Sequence, residues 1–252
     1  MTQPIIRFEG VSKAFGTQTV LRDFSLDVEP GAFVSIIGRS GCGKTTVLKL
    51  VNGLLSPDTG RVLIQGQDVA RIDPVALRRR IGYAIQNVGL FPHMTLEKNI
   101  AYVPAISGPK EWKGKQCREK VAALLKQVGL DPALAGRYPR ALSGGQRQRV
   151  GIARALAAGP ELLLMDEPFG AVDEITRGQL QDELLRIHRE SGITVLFVTH
   201  DIAEALKLGT RTLVMDAGQI QQYDAPSRLL AHPATSFVER LVRRSRVFQT
   251  RA

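Results

Sequence analysis

A short glycine-rich stretch carries the residue types that bind phosphate. Its residues are Gly38, Arg39, Ser40, Gly41, Cys42, Gly43, Lys44, Thr45 and Thr46. Two glycines separated by four residues and followed by Lys and Thr match the phosphate-binding loop pattern, in which glycines let backbone N–H groups turn toward phosphate oxygens. Lys44 would reach the β- and γ-phosphates, and the Thr45 hydroxyl would bind Mg²⁺. The alternative interpretation is a glycine-rich turn with a chance lysine.

The flanking segments predict that this loop joins a strand to a helix. Residues 32–37 form a short apolar run typical of a buried strand. The residues after the loop form an apolar helical stripe of Val47, Leu48, Leu50, Val51 and Leu54. A helix N-terminus at this point would add partial positive charge beside the phosphates. It should also lower the thiol pKa of Cys42.

Composition indicates a folded chain without a membrane span. The 252 residues, 44% of them hydrophobic, suffice for one domain or one domain with a subdomain. No apolar run approaches ~20 residues, and the N-terminus lacks a signal-peptide pattern. Two cysteines, Cys42 and Cys117, make neither a disulfide framework nor a metal pair, which favours a reducing cytosolic setting.

The charge of the chain is basic, and several partners would fit it. The formal net charge of +10 is compatible with a solvated surface, nucleotide phosphate, nucleic acid or an anionic membrane. The C-terminal tail is interpreted as a solvated or frayed helix end, with a lipid-binding patch as the alternative. Its arginines are Arg240, Arg243, Arg244, Arg246 and Arg251.

Polar side chains follow three other apolar runs that are predicted to be strands. Gln86 follows residues 81–85, Asp166 and Glu167 follow 161–165, and His200 follows 193–198. Open α/β sheets bind ligands at the carboxyl ends of their strands, so these residues are candidates for a site. The alternatives are ordinary polar strand ends and a structural histidine.

Two further segments carry candidate functional residues. Ser143 is a good helix N-cap, and it is followed by Gly144, Gly145 and Gln146. Phe15 is predicted to lie in a polar loop over residues 13–16, where it could stack on a purine or tuck into the core. Residues 95–135 are predicted to be a helical block that is interrupted by a loop over 104–114. Residues 175–190 are predicted to form another helix, with Ile175 on its apolar face.

Together these motifs resemble the ATPase subunit of ABC transporters, over residues 5 to about 240. The resemblance implies an α/β fold, with a P-loop NTPase (RecA-like) core, an antiparallel β subdomain and an inserted α-helical signature subdomain. It implies one domain, in which 1–87 and 160–240 form the nucleotide-binding core, 88–159 the helical subdomain and 241–252 the basic tail.

The resemblance implies a role for each motif. Phe15 matches the aromatic residue that stacks on adenine, although Tyr is more usual, and residues 38–46 match Walker A. Asp166 and Gln86 match Mg²⁺ contacts, and Gln86 also contacts the attacking water. Glu167 matches the general base and His200 the γ-phosphate switch, and with Gln86 and Lys44 they are the expected catalytic residues. The residues that match contacts to ATP across a head-to-tail homodimer are Ser143, Gly144, Gly145, Gln146 and Asp173, the last in a loop where Val172 replaces the usual Leu.

Residues 83–93 with 99–101, and residues 179–184, are similar to importers of quaternary-ammonium osmoprotectants such as glycine betaine, choline or carnitine. The resemblance implies ATP and Mg²⁺ as cofactors and a peripheral location on the cytoplasmic face of the inner membrane. The partners would be integral-membrane permease subunits, docking at Leu90 and Phe91, and a solute-binding protein. No direct contact with the transported solute and no nucleic-acid partner are expected.

The alternatives are the ATPase of an importer for another small solute, an exporter ATPase, and a non-transport ABC ATPase of DNA repair or translation. Residues 94–141 are too few for the long coiled coil of repair members, and translation factors carry two cassettes. The chain stops at residue 252, so neither paired sensor domains nor a C-terminal barrel is expected.

Overall fold

Two units interleave along the chain. The computed structural model describes residues 3–85, 88–107, 112–170 and 172–249. One unit comprises Met1–Leu77 with Thr194–Ala252, and the other comprises Arg78–Ile193. Each unit is a compact group of residues in contact with one another. The division predicted from the sequence, into a nucleotide-binding core, a helical subdomain and a basic tail, is a different one and stays a prediction.

The strands are β1 (Ile6–Phe15), β2 (Gln18–Val28), β3 (Phe33–Gly38), β4 (Thr59–Ile64), β5 (Gln67–Asp68), β6 (Ile81–Ile85), β7 (Leu162–Asp166), β8 (Thr194–Val198), β9 (Arg211–Asp216) and β10 (Gln219–Asp224). The helices are α1 (Lys44–Val51), α2 (Pro74–Arg80), α3 (Leu96–Ser107), α4 (Gly114–Gln127), α5 (Gly144–Leu156), α6 (Glu174–Ser191), α7 (Ile202–Leu208), α8 (Pro226–Ala231) and α9 (Ser236–Gln249). Short 3₁₀ segments cover Val69–Arg71, Pro132–Gly136 and Pro139–Ala141.

The first unit contains an antiparallel sheet with strand order β2-β1-β4-β5. Its inward residues include Phe8 and Phe24, whose rings meet edge to face at 5.1 Å. The polar loop predicted around Phe15 is wrong, because β1 continues through Phe15 and pairs it with Gln18 across a tight turn. Main-chain pairing with β2 outweighs the polar composition of this segment.

The same unit holds the strand that carries the glycine-rich loop. Strand β3 pairs in parallel with β8 on one side and β9 on the other, and β9 forms a hairpin with β10. Residues 33–37 are buried, as expected for a parallel strand covered on both faces. Helix α1 packs on β3 but ends at Val51, so Leu54, predicted in its apolar stripe, is 49% exposed.

The second unit pairs β6 with β7 in parallel and packs helices α3, α4 and α5 on one another. The loop predicted over residues 104–114 is wrong for 104–107, because α3 continues to Ser107, and residues 108–111 lie outside the described residues. Pro104 is buried there, and this packing offsets the hydrogen bond that its ring removes. Ile175 was assigned to an apolar face, yet it is 78% exposed in the first turn of α6. No described helix is long and apolar enough to cross a membrane.

Candidate functional site

The predicted phosphate-binding loop connects β3 to α1 and is shaped by close backbone approaches. A Cβ added at Gly38 would collide with the carbonyl oxygen of Met215 in β9. Gly43 has a φ of 104°, a left-handed value that favours glycine, and a Cβ there would lie 2.9 Å from the Val20 carbonyl oxygen. Neither glycine can be replaced without moving the loop.

The Lys44 side chain folds back into this loop. The residue is 8% exposed, and its Nζ donates hydrogen bonds to the carbonyl oxygens of Gly38 at 2.9 Å and Arg39 at 3.0 Å. Within the described part of the chain its charge is met by carbonyl dipoles and not by a carboxylate. A buried cation without a counter-charge favours an anionic ligand.

The other loop residues differ in exposure. Arg39, Ser40 and Gly41 are exposed at the tip of the loop. Thr45 is half-buried and Thr46 is buried, both in the first turn of α1. The Thr45 hydroxyl and the first N–H groups of α1 therefore stand at the helix end that favours anions.

The pKa predicted for the Cys42 thiol is wrong in direction. Cys42 is 4% exposed, and burial raises its pKa above the ordinary value, more than the Lys44 charge and N–H lower it. The sequence indicates a helix N-terminus at this cysteine, but it does not indicate that the loop excludes water from the sulfur.

We expect Cys42 of the native chain to react slowly with iodoacetamide, because the thiolate is the reactive form. Its raised pKa means that the thiolate fraction is small at neutral pH, so the rate should still be rising above pH ~8.5, the ordinary thiol value. Timed labelling from pH 7 to 10, read by peptide mass spectrometry, measures this, with urea-unfolded chain as control. A native rate that levels off below pH 8 would contradict it.

Asp166 and Glu167 stand at the carboxyl end of β7. Asp166 is the last residue of the strand and lies in register with Ile85 of β6, which directly precedes Gln86 in the chain. Gln86 itself lies outside the described residues. Glu167 follows with a φ of 47°, a left-handed value that costs a non-glycine residue about 1–3 kcal/mol and occurs most often at functional sites.

The Asp166 carboxyl helps to raise the pKa of a neighbouring phenol, that of Tyr83. Burial and, secondly, the charge of Asp166 raise the pKa of Tyr83 to about 12, so the phenol stays protonated at neutral pH. Tyr83 lies in β6, two residues before the end of the strand. This edge of the second unit therefore brings together a carboxylate and a neutral phenol, beside the strained Glu167.

The signature residues begin α5 with a complete capping box. The Ser143 hydroxyl accepts from the Gln146 N–H at 3.2 Å, and the Gln146 side-chain oxygen accepts from the Ser143 N–H at 3.0 Å. The N-cap prediction is therefore confirmed. Gly144 is exposed and Gly145 is half-buried, so the cap leaves backbone N–H groups at an open helix end.

The loop before α6 packs against this helix start. A Cβ at Gly145 would lie 2.8 Å from Cγ2 of Thr176, so the close approach requires glycine. Asp173 caps α6 by accepting from the Thr176 N–H at 3.0 Å, and this hydrogen bond lowers the pKa of the Asp173 carboxyl. The structure thus joins the signature helix and the Asp173 loop within one unit, next to the exposed side chain of Ile175.

Arg154 is a residue that the sequence analysis missed. Its guanidinium donates to the carbonyl oxygens of Gly89, at 2.8 Å, and Val88, and burial lowers its pKa. A Cβ at Gly151, one turn earlier in α5, would collide with the Val88 side chain. The segment after Gln86 is thereby fixed to the signature helix. A long-range arginine–carbonyl contact leaves no periodic signal in the sequence.

Asn99 is a second missed residue, and it organises the loop that carries Leu90 and Phe91. It is fully buried and hydrogen-bonds the Phe91 main chain twice, accepting at 2.7 Å and donating at 3.1 Å. The Phe91 ring lies 4.9 Å from the Tyr102 ring and remains half-buried, while Pro92 is exposed. The loop has a fixed backbone and a partly open apolar surface.

His200 and Phe15 both lie in the first unit, at different sheets. Ile36 of β3 is in register with Val198 of β8, so His200 follows its strand at the same edge as the phosphate-binding loop. The turn before α7 is held by Thr199, which donates to the buried Glu204 carboxylate at 2.6 Å. The His200 side chain is exposed. Phe15 is 48% exposed, which excludes the alternative in which Phe15 packs into the core.

Comparison with known proteins matches these motifs. A family model described as ABC transporter matches residues 21–170. OpuCA of Bacillus subtilis, a glycine betaine/carnitine/choline transport ATP-binding protein, is 46% identical over 98% of this chain and 64% of its own length. YehX of Escherichia coli, a glycine betaine uptake system ATP-binding protein, is 46% identical over 96% of this chain and 77% of its own. The chain thus spans less than two thirds of OpuCA.

A solved dimeric ATP-binding cassette in a post-hydrolysis state, bound to ADP and Pi, superposes with a TM-score of 0.80 at 33% identity. The match covers 88% of this chain and 98% of that one. The predicted fold class is confirmed, and the cassette family binds nucleotide. The chain belongs to the ABC transporter family.

Proposed function

We propose that this chain is the ATP-hydrolysing subunit of an importer for a quaternary-ammonium osmoprotectant such as glycine betaine, choline or carnitine. The observation that carries the proposal is the Lys44 ammonium, buried in a glycine loop and hydrogen-bonded to two loop carbonyl oxygens, in a chain 46% identical to such ATP-binding proteins. An ammonium held in this way exchanges its carbonyl partners for phosphate oxygens when nucleotide binds.

The chemistry of the predicted site residues fits ATP with Mg²⁺. The loop backbone would hold the phosphates, Lys44 the β- and γ-phosphates, and exposed Phe15 would stack on adenine. The Thr45 hydroxyl, Asp166 and Gln86 offer the oxygen ligands that Mg²⁺ takes, alongside the phosphates. No cluster of three His, Cys, Asp or Glu able to hold a metal occurs in the described ranges. Bound Mg²⁺ would neutralise phosphate charge.

Hydrolysis would depend on Glu167 and His200. Glu167 would accept a proton from the attacking water, a contribution of about 10²–10⁴ in rate. Glu167 directly follows the last residue of β7, at the strand end where α/β sheets bind ligands, and its backbone is left-handed. His200, on the turn fixed by Thr199 and Glu204, would orient the water and the γ-phosphate.

A complete site would require a second copy of the chain in head-to-tail contact. Ser143, Gly144, Gly145 and Gln146 would contact the γ-phosphate of ATP bound to the partner's loop, with Asp173 crossing the same interface. Ile175, beside Asp173, is 78% exposed, and such an apolar side chain is more stable in an interface than in water. The dimeric cassette structure supports this arrangement.

The permease would dock on the Leu90–Phe91 loop at the cytoplasmic face of the membrane. Arg154 and Asn99 hold this loop to α5 and α3, so a movement of the signature helix would move the docking surface. A solute-binding protein would complete the importer. The solute itself would not contact this chain, and no nucleic-acid partner is proposed.

An importer for another solute is the second candidate. PotA of Chromobacterium violaceum, a spermidine/putrescine import ATP-binding protein, is 43% identical over 93% of this chain. The relatives named for glycine betaine are 46% identical over larger shares, which favours the osmoprotectant. Neither exporters nor non-transport ATPases have an observation here that favours them.

Transport by the complete complex tests the proposal. Proteoliposomes containing this chain with its co-encoded permease and solute-binding protein should take up radiolabelled glycine betaine or choline when MgATP is enclosed. Uptake should be abolished in the Glu167→Gln variant, since hydrolysis drives the cycle. Spermidine and sulfate are the comparison solutes. Uptake of spermidine without uptake of any quaternary-ammonium solute would overturn the substrate assignment, and uptake independent of ATP would overturn the function.

A further inference from the structure

A basic pocket lies beside the phosphate-binding loop, on the side formed by helix α9. The cavity measures about 440 Å³ and is lined by Gly38, Arg39, Phe237, Arg240, Leu241 and Arg243. All the charged residues of this lining are arginines. We call it the α9 pocket.

The floor of the α9 pocket belongs to the core. Val238 and Val242 of α9 are buried in one cluster with Ile37 and Val214. Ile37 directly precedes Gly38, so the first two turns of α9 are packed under the start of the loop. In the tail that begins at Arg240, residues 240–243 are therefore helical and not frayed, whereas Arg240 and Arg243 are exposed, as the interpretation of a solvated helix end expects.

Arg39 is held in place and still has free donors. Its guanidinium lies 5.2 Å from the centre of the Phe237 ring, and its nearest carboxylate contact is a loose one, 3.8 Å to Asp216. The Arg39 side chain is 67% exposed. Stacking fixes the plane of a guanidinium and leaves its N–H edge available for planar, bidentate oxygen pairs.

Arg240 and Arg243 add two unpaired charges on the same helix face. They are three residues apart, both are exposed, and neither forms an ion pair or hydrogen bond with any residue that the structure describes. Like charges at this spacing destabilise a helix. The acidic residues adjacent to the pocket are Asp216, which faces Arg39, and exposed Glu239, so the pocket keeps a positive charge.

We propose that the α9 pocket binds a phosphoryl anion in addition to the nucleotide, on the α9 side of the phosphate-binding loop. Three arginines around one cavity match an anion with several charged oxygens, since each guanidinium pairs with two oxygens of a phosphate. A pyrophosphate group or a small phosphorylated molecule would fit in the volume. Because Arg39 belongs to the loop, the bound anion would draw its guanidinium away from Asp216 and alter the phosphate-binding loop.

Isothermal titration calorimetry of the full chain with pyrophosphate tests the site. Binding should persist when the chain is saturated with ADP and in the Lys44→Ala variant, because Arg240 and Arg243, two of the three arginines of the pocket, are not assigned to the nucleotide. The Arg240→Gln/Arg243→Gln double variant should bind pyrophosphate at least about tenfold more weakly, since each charged hydrogen-bonding partner contributes on that scale. Arg71→Gln/Arg79→Gln, which removes the same charge from exposed positions elsewhere, should bind as wild type.

A second arm separates soluble phosphate from a lipid headgroup. Flotation with phosphatidylglycerol vesicles, compared with phosphatidylcholine vesicles, measures the lipid source in the same variants. Arginine-dependent binding to either pyrophosphate or phosphatidylglycerol supports the phosphoryl site, and the arm that responds identifies the source. The proposal would be overturned if ADP abolished pyrophosphate binding and the chain also failed to bind phosphatidylglycerol vesicles. It would equally be overturned if both double variants lost the same amount of binding. Unchanged thermal melting of the variants excludes unfolding as the cause.

Discussion

Glu167→Gln is expected to leave ATP binding intact and to reduce hydrolysis by about 10²–10⁴-fold. The amide has the size and shape of the carboxylate, so the left-handed backbone at this position need not change. It cannot accept a proton from the attacking water, and this step alone should fail. Phosphate release by the assembled complex measures turnover, and equilibrium binding of a fluorescent ATP analogue measures affinity.

The same variant should also stabilise the dimer. ATP that is bound but not hydrolysed would keep the loop of one chain against the signature helix of the other, so gel filtration with MgATP should show a dimer. Glu161→Gln is the matched control, because it makes the same chemical change at the opposite, exposed end of the β7 segment. A Glu167→Gln chain that stays monomeric and hydrolyses ATP at the wild-type rate would remove Glu167 from the general-base role.

Local patterns predicted most of the elements that carry the site. The apolar runs at residues 32–37 and 161–165 predicted buried strands correctly, because a strand buried on both faces needs apolar residues throughout. Ser143 predicted a capped helix start, and in the structure Gln146 completes the capping box at the first N–H groups of α5. These features depend on neighbours in sequence, which is why the sequence reveals them.

The errors occur where distant contacts decide the outcome. Phe15 was placed in a loop because its neighbours are polar, but pairing with Gln18 extends β1 to include it. Ile175 and Leu54 follow a helical apolar pattern and are nevertheless exposed, because their packing partners could not be known. The Cys42 pKa was assigned from the helix N-terminus alone, whereas burial by surrounding elements has the larger effect.

Contacts made to the main chain were beyond sequence analysis altogether. Arg154 and Asn99 bind carbonyl and N–H groups of the 88–94 segment, and any residue there offers such groups. A pattern search has no side-chain partner to match in this case. The residues that link the docking loop to helices α3 and α5 became visible only when the fold brought them together.

Lys44→Ala is expected to weaken ATP binding by about a hundredfold or more. The ammonium would make charge-assisted hydrogen bonds to two phosphates, each contributing about 1.5–3 kcal/mol, and tenfold in affinity corresponds to about 1.4 kcal/mol. Equilibrium titration with MgATP measures the loss. Lys49→Ala is the matched control, since Lys49 lies in the last turn of the same helix and its removal changes the net charge equally.

A purely structural role for Lys44 gives a different result. Its Nζ donates to the Gly38 and Arg39 carbonyl oxygens, and their loss should cost about 1 kcal/mol of stability whether or not nucleotide binds. If the lysine only closes the loop, Lys44→Ala should melt at a lower temperature while its folded fraction binds MgATP with wild-type affinity. If it holds phosphate, MgATP should raise the melting temperature of wild type and Lys49→Ala but not of Lys44→Ala, because a ligand stabilises only a protein that it binds.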